Sequence, residues 1–331
     1  MIEVRHLTKR YGNHMAVSDL SFKIEKGVIY GLLGPNGAGK STTMNIITGC
    51  LGATEGDVLI GGHSITEEPK EAKRLIGYLP EQPPLYMDMT PKEYLRFVMA
   101  AKNLPVKGRD GELDSVMEKT RIAEMQNNLI RNLSKGYRQR VGIAQALLGN
   151  PEIIILDEPT VGLDPAQIIE IRDLIKELGR EHTVILSSHI LSEVQAVCDA
   201  IMIISKGHLI ASDTAENLTA MLAGTTTLRL EAAADESSVR AVLDHVDGIE
   251  DLHMMQSSGD ATTVELKPEE NTDIRAKVFH AFAKSDIALL EMTSVRASLE
   301  DVFLELTQQE PLQEAAPQDQ QESDDKRKED A

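Results

Sequence analysis

The chain has 331 residues, enough for two domains, and its 34 basic and 53 acidic side chains leave a formal net charge of −19. So acidic a surface lacks the clustered Lys and Arg that neutralise phosphates, and 3 % aromatics without Trp leave no stacking platform for single strands, so no nucleic-acid partner is expected. Only two cysteines, no apolar run near the roughly 18 residues of a membrane helix, and a start that alternates like a strand point to a soluble chain in a reducing compartment.

Strand patterns fall at Ile2–Leu7, Leu20–Ile24, Val28–Leu33, Val58–Ile60, Leu75–Leu79, Ile153–Leu156, Thr183–Ser187, Ile201–Ser205 and His208–Ala211, with helical segments between them. The apolar run Ile153–Leu156 suits a strand covered on both faces, whereas Ile2–Leu7 and Leu20–Ile24 alternate like half-exposed antiparallel strands. The expected fold is α/β, a mainly parallel sheet with an antiparallel flank. Between Met87 and Leu148 the pattern turns helical around a Gly- and charge-rich connection at Val106–Leu113, which reads as a helical insert.

Beyond a stretch at Ala223–Thr227 the expected order is strand Thr227–Glu231, helix Glu236–Val246, strands Ile249–Met254 and Thr262–Leu266, helix Ile274–Ser285 and strand Ala288–Thr293, closed by a helix at Ser298–Leu306. That is a small ferredoxin-like α+β unit. From Gln308 the chain carries eight acids against three bases and no apolar period, so it is expected to be a disordered acidic tail. The expected division is 1–222, 223–307 and 308–331.

Directly after Val28–Leu33 comes Gly34-Pro35-Asn36-Gly37-Ala38-Gly39-Lys40-Ser41, followed by the helical Thr42-Thr-Met-Asn-Ile-Ile. Strand, Gly loop and helix together make a phosphate cradle: successive N–H groups and the helix N-terminus face one phosphate, Lys40 reaches the β and γ phosphates, and Ser41 holds Mg²⁺. At the end of the strand Ile153–Leu156 stand Asp157 and Glu158, where ligands gather in open α/β sheets. Asp157 is expected to orient Mg²⁺ through water, and Glu158 to polarise the water that attacks the γ-phosphate. His6, His14 and His63 lack metal-ligand spacing and are read as structural.

These motifs resemble the ATP-binding subunits of ABC transporters over roughly Ile2–Thr219. Leu133-Ser-Lys-Gly-Tyr-Arg-Gln-Arg140 looks like the family signature, usually written LSGGQ, and Gly162-Leu-Asp-Pro165 looks like its D-loop. His189 after a strand looks like the switch histidine, Gln82 in Gly77-Tyr-Leu-Pro-Glu-Gln like the Q-loop glutamine, and Tyr11 like the adenine-stacking aromatic. The resemblance implies catalytic roles for Glu158, His189 and Gln82. It also implies Mg²⁺ ligation by Ser41, Gln82 and Asp157, and nucleotide contacts from Tyr11, the loop 34–42, Ser134, Gly136 and Asp164. Lys135 and Tyr137 depart from the usual Gly and Gln. The signature wording and Ser298–Leu306 resemble the exporter-type (ABC-2) subfamily that includes drug-resistance ATPases.

The resemblance further implies an ATP hydrolase on the cytoplasmic face of the cell membrane. Its second subunit, identical or paralogous, would clamp ATP between the phosphate loop of one chain and the signature of the other. Separate membrane-spanning permease subunits would receive the motion, with Pro83-Pro84-Leu85-Tyr86 and the following amphipathic helix as the expected contact. The alternative, a ribosome- or DNA-associated ABC ATPase, would ordinarily bring a second cassette with a basic linker or a long coiled-coil insertion, and the sequence has neither.

Overall fold

A computed structural model describes residues 1–221, 227–255, 261–269, 272–295, 299–300 and 303. In chain order the elements begin with the hairpin β1 (Ile2–Tyr11) and β2 (His14–Ile24), then β3 (Ile29–Leu33), α1 (Lys40–Ile47), β4 (Glu55–Ile60), β5 (His63–Ser64), α2 (Pro69–Arg74) and β6 (Ile76–Leu79). A helical stretch follows, with α3 (Pro91–Ala101), α4 (Arg109–Lys119) and α5 (Lys135–Leu147). Next come β7 (Ile153–Leu156), α6 (Pro165–Gly179), β8 (Thr183–Ser188), α7 (Leu191–Val197), β9 (Ala200–Ser205), β10 (His208–Asp213) and α8 (Ala215–Met221). The last elements are β11 (Thr227–Ala232), α9 (Glu236–Leu243), β12 (Ile249–Met254), β13 (Thr262–Pro268), α10 (Arg275–Lys284) and β14 (Leu289–Val295).

The central sheet runs β10-β9-β3-β8-β7-β6, parallel except for the β9–β10 edge hairpin. Alternate residues of its strands feed two cores. Ile29, Leu33, Ile154, Leu156, Val184 and Leu186 pack on the side of the helical stretch, whereas Tyr30, Leu32, Ile153, Ile155 and Ile185 pack with Ile2, Val4, Leu20, Ile24, Val58 and Ile60 of the antiparallel sheet β2-β1-β4-β5. A strand buried on both faces needs apolar residues at every position, which is why β7 is an unbroken Ile-Ile-Ile-Leu run. In the order β3-β8-β7, three adjacent strands deliver the phosphate loop, His189 and Asp157–Glu158 from their carboxyl ends.

The third sheet, β12-β13-β11-β14, is antiparallel throughout, and α9 and α10 bury Val239, Leu243, Val278 and Phe282 against its Leu228, Leu230, Val264 and Leu266. Order and topology are those of the ferredoxin-like unit that the sequence suggests.

Three expectations are corrected. β1 and β2 run to a tight tip where Tyr11 pairs with His14; register shifts after Val4, Leu7 and Lys9 break the alternation that would have revealed the hairpin. Residues 109–113, expected in a connection, begin α4, whose buried face is only Leu113, Val116 and Met117. The closing segment packs elsewhere than expected: Leu299 is buried in the core under the helical stretch, and Phe303 packs against the same cluster. The remainder of the expected closing helix and the acidic tail lie outside the described residues.

Candidate active site

β3 is fully buried and ends at Leu33, so the loop that follows starts from a fixed point. A Cβ at Gly34 would lie 2.3 Å from the Ile204 carbonyl oxygen, and Gly39 has a φ of 106° with the Ala16 carbonyl oxygen 2.5 Å from where its Cβ would stand. Only glycine fits at either place. Lys40 opens α1 and folds back over the loop, its Nζ donating to the carbonyls of Gly34 at 2.8 Å and Pro35 at 3.3 Å. Burial at 6 % exposure pushes the Lys40 ammonium below the usual lysine range, against the opposing pull of the Glu158 and Asp157 carboxylates.

The two carboxylates divide at the end of β7. Asp157 turns toward α1, where its Oδ1 accepts from Ser187 Oγ at 2.6 Å and from Ser41 Oγ at 3.3 Å. Glu158 has a left-handed φ of 47°, a conformation costing a non-glycine residue about 1–3 kcal/mol. Its N–H donates to Ser187 Oγ at 2.9 Å, its Oε1 lies 3.7 Å from Lys40 Nζ, and its Oε2 lies 2.9 Å from His189 Nδ1. Lysine, glutamate and histidine are thus brought together from three strand ends.

They border a cleft of about 430 Å³ that is also lined by Tyr11, Asn36, Gly37, Gly39, Ser41 and Thr42. Tyr11 is exposed, with Lys9 Nζ 5.3 Å above its ring, so it is not a packed core aromatic. Gly34, Pro35 and Ala38 form the loop beneath. Gln82 is exposed and does not line the cleft; its neighbour Glu81 does, together with His14 and Val161. His14, read as structural from the sequence, reaches the cleft because the hairpin tip sets it beside Tyr11.

The signature segment lies at a separate depression of about 280 Å³ lined by Ser134, Gly136, Tyr137, Arg140, Asp164 and Gln167, sharing no residue with the cleft. Ser134 caps α5, its Oγ accepting from Tyr137 N at 3.3 Å, and Asp164 caps α6, its Oδ1 accepting from Gln167 N at 2.9 Å. A Cβ on Gly136 would come within 2.7 Å of the Gln167 side chain. The two departures from the usual signature are both placed: Lys135 extends over Gly162, its Nζ 2.2 Å from where a Cβ would stand, and the Tyr137 hydroxyl donates to Glu124, which pushes its pKa up.

Residues 17–161 match the sequence model of the ABC transporter family. Across 93 % of its length the chain is 37 % identical to the ABC transporter ATP-binding protein YhcH of Bacillus subtilis, of which it spans 96 %. The chain belongs to the ABC transporter ATP-binding subunits. It is 34 % identical, over 92 % of this chain and 97 % of the relative, to the bacitracin transport ATP-binding protein BcrA of Bacillus licheniformis. Among solved structures, the ATP-binding subunit of an ABC transporter superposes with a TM-score of 0.61 at 31 % identity, covering 67 % of this chain and 92 % of that one. The dimeric MJ0796 cassette in a post-hydrolysis state bound to ADP and Pi does so at 0.58 and 27 %, covering 65 % and 98 %. As an ABC subunit the protein is an ATP-binding ATPase of a transporter. The third sheet lies within the reach of the two Bacillus relatives, which align over more than nine-tenths of the chain.

Proposed function

We propose that this ABC subunit works as one half of a nucleotide-sandwich dimer that drives export through separate membrane permease subunits. The observation that carries it is the division of the site: Lys40, Glu158 and His189 converge at one cleft, while Ser134 and Gly136 present a hydroxyl and a helix N-terminus at another depression. Neither surface alone surrounds a triphosphate. Closure would bring the signature of a second ABC subunit over the γ-phosphate bound in the first, so that ATP bridges the two and hydrolysis removes the bridge.

Within each cleft, Tyr11 offers its exposed ring to the base, and the N–H groups of residues 36–42 with the Lys40 ammonium hold the phosphates. Ser41 Oγ and Asp157 Oδ1, 3.3 Å apart, suit a hard divalent cation that prefers oxygen donors. Mg²⁺ bound there would screen the β- and γ-phosphate charges. Glu158 orients the attacking water and takes up its proton. A neutral His189 that donates from Nδ1 to Glu158 keeps Nε2 as an acceptor for that water, and a protonated ring would donate to the γ-phosphate instead. Gln82 would enter this site only through a shift of the loop after β6.

The name of the bacitracin transport relative supports a transport role, and as the subunit that serves a membrane permease the chain would sit at the cytoplasmic face of the membrane. Within the expected permease contact the side chains differ in exposure. Leu85 is buried in the core, whereas Tyr86 and Phe97 are 50 % and 44 % exposed with ring centroids 5.2 Å apart, next to the exposed Met87. That apolar patch is the proposed dock. We also keep the division at residues 222 and 307, with Leu299 and Phe303 as a return of the chain onto the cassette core.

Mixing tests the sandwich. Lys40→Ala and Ser134→Arg chains should each be inactive alone, and together should recover activity because a mixed dimer holds one intact site. Wild-type turnover per chain should rise with protein concentration until dimers saturate. Turnover per chain that is independent of concentration, with no rescue on mixing, would refute the sandwich.

A further inference from the structure

Glu193 sits in α7, four residues after His189, and is 5 % exposed. Among the described residues it has no ion pair. Its Oε2 instead accepts two hydroxyl hydrogen bonds, one from Thr160 Oγ1 and one from Ser188 Oγ at 3.2 Å. A buried carboxylate without a cation is expensive to keep, so what it holds is informative.

Both donors belong to the segments that carry the reacting side chains. Thr160 is two residues beyond Glu158, and Ser188 directly precedes His189. The Ser188 hydroxyl spends its single proton on Glu193 while accepting from Ile190 N–H at 3.0 Å. Glu158 and His189 then meet across the gap at 2.9 Å. The connections close into a ring: Glu193 to Thr160, back along the chain to Glu158, across to His189, to Ser188, and again to Glu193. Glu158 is the one member with a left-handed backbone, and strain of that kind persists only where the surroundings over-determine it. Glu193 does not line the cleft, so its influence on the reaction runs through the two loops.

We propose that Glu193 is a positioning residue that sets the distance and orientation of Glu158 against His189 for water attack. This rests on the proposed role of Glu158. A carboxylate serves here as a doubly accepting oxygen that ties two strand ends together; its charge is incidental. Removing it would let the two segments drift, and misplacement of reacting groups by about 1 Å can cost on the order of 10²-fold in rate.

The test uses the full-length chain. Glu193→Ala and Thr160→Val should lower kcat for ATP hydrolysis about 10- to 100-fold while the KM for ATP and the binding of a fluorescent ATP analogue change less than about threefold. Glu193→Gln, whose amide oxygen can still accept from both hydroxyls, should restore kcat to within about threefold of wild type. In a Glu158→Gln background, Glu193→Ala should bring no further loss, because the residue acts through Glu158. A purely structural role would lower activity equally in both backgrounds, in step with the thermal midpoint, and that result would overturn the proposal. So would Glu193→Gln as impaired as Glu193→Ala, or kcat of both Glu193→Ala and Thr160→Val within twofold of wild type. If Glu193→Ala does not fold, Thr160→Val, which only removes one hydroxyl, decides alone: normal kcat overturns the proposal, and a lowered kcat at unchanged nucleotide binding sustains it. Full turnover by Glu158→Gln itself would instead overturn the reading of Glu158, which separates the two failures.

Discussion

Lys40 Nζ lies 3.7 Å from Glu158 Oε1 while donating to the Gly34 and Pro35 carbonyls. The ammonium is therefore engaged both by the loop it serves and by the Glu158 carboxylate. A γ-phosphate arriving between them would compete for Lys40 and repel Glu158 toward the water. With Glu158 as the proposed proton acceptor, Glu158→Gln removes that repulsion and the acceptor together. ATP should bind at least as tightly as in wild type, turnover should drop by about 10²-fold or more, and an ATP-dependent dimer should persist in size-exclusion chromatography with light scattering. Turnover within threefold of wild type would take Glu158 out of the reaction.

The state of Lys40 also makes nucleotide binding pH-dependent on the alkaline side. Burial lowers its pKa in the free protein, and the charge of a bound triphosphate would raise it again. Binding above the lowered value must then take up a proton, so affinity should fall as pH rises through the free-state pKa, beginning below the pH at which an ordinary lysine titrates. Calorimetry in buffers of different ionisation enthalpy should register proton uptake at alkaline pH, and Lys40→Arg, which stays charged, should abolish it. The folding sign follows from the same shift. The unfolded chain holds the Lys40 proton more tightly, so this residue contributes stability that increases with pH between the folded and unfolded values. Affinity that stays flat up to pH 10.5 would show that Lys40 keeps an ordinary pKa.

The exposed ring pair gives a prediction about coupling. Tyr86 packs at a tilted angle on Phe97, ring centroids 5.2 Å apart, and edge-on at 5.9 Å against the buried Tyr94, so its orientation is fixed from within while its outer face remains bare. Paired aromatics with this exposure are typical anchors of a protein contact. Tyr86→Ala with Phe97→Ala should leave ATPase activity of the isolated chain within about twofold, yet lower co-purification with a membrane partner and the stimulation that partner gives. Unchanged association would place the permease contact elsewhere.

How much of this could be seen in the sequence depended on whether local chemistry or distant packing set the residue. β3, the phosphate loop and β7 were legible because burial on both faces forces unbroken apolar runs, and phosphate binding forces glycines at fixed spacing. The tip of the first hairpin was hidden by three register shifts, and with it the approach of His14 to the cleft. α4 was hidden by having only three buried side chains in eleven residues. Leu85 and Tyr86 are neighbours with opposite fates, and only the packing of α3 decides which one faces out. Glu193 reads as one more acid in a short mixed helix. Its partners lie 33 and 5 residues away, and no periodicity connects them.

Leu299 is 3 % exposed and belongs to the same buried cluster as Leu191, Val194 and Leu218, with Phe303 packed against it. The chain thus leaves the cassette after α8, builds the third sheet, and comes back to bury a leucine under the ATPase core. That attachment would make the cassette's stability depend on residues more than 130 positions beyond Glu158. Leu299→Ala should cost about 2–5 kcal/mol, the range for a buried leucine that leaves a cavity. The loss should appear in the main unfolding transition that ATP binding shifts, because the cavity opens in the cassette's own core. A control substitution on the outer surface of the third sheet, such as Glu231→Ala, should leave that transition where it is. If Leu299→Ala shifted only a separate transition insensitive to ATP, the return contact would carry no weight in the cassette, and the C-terminal unit would be an independent body joined only through the stretch before β11.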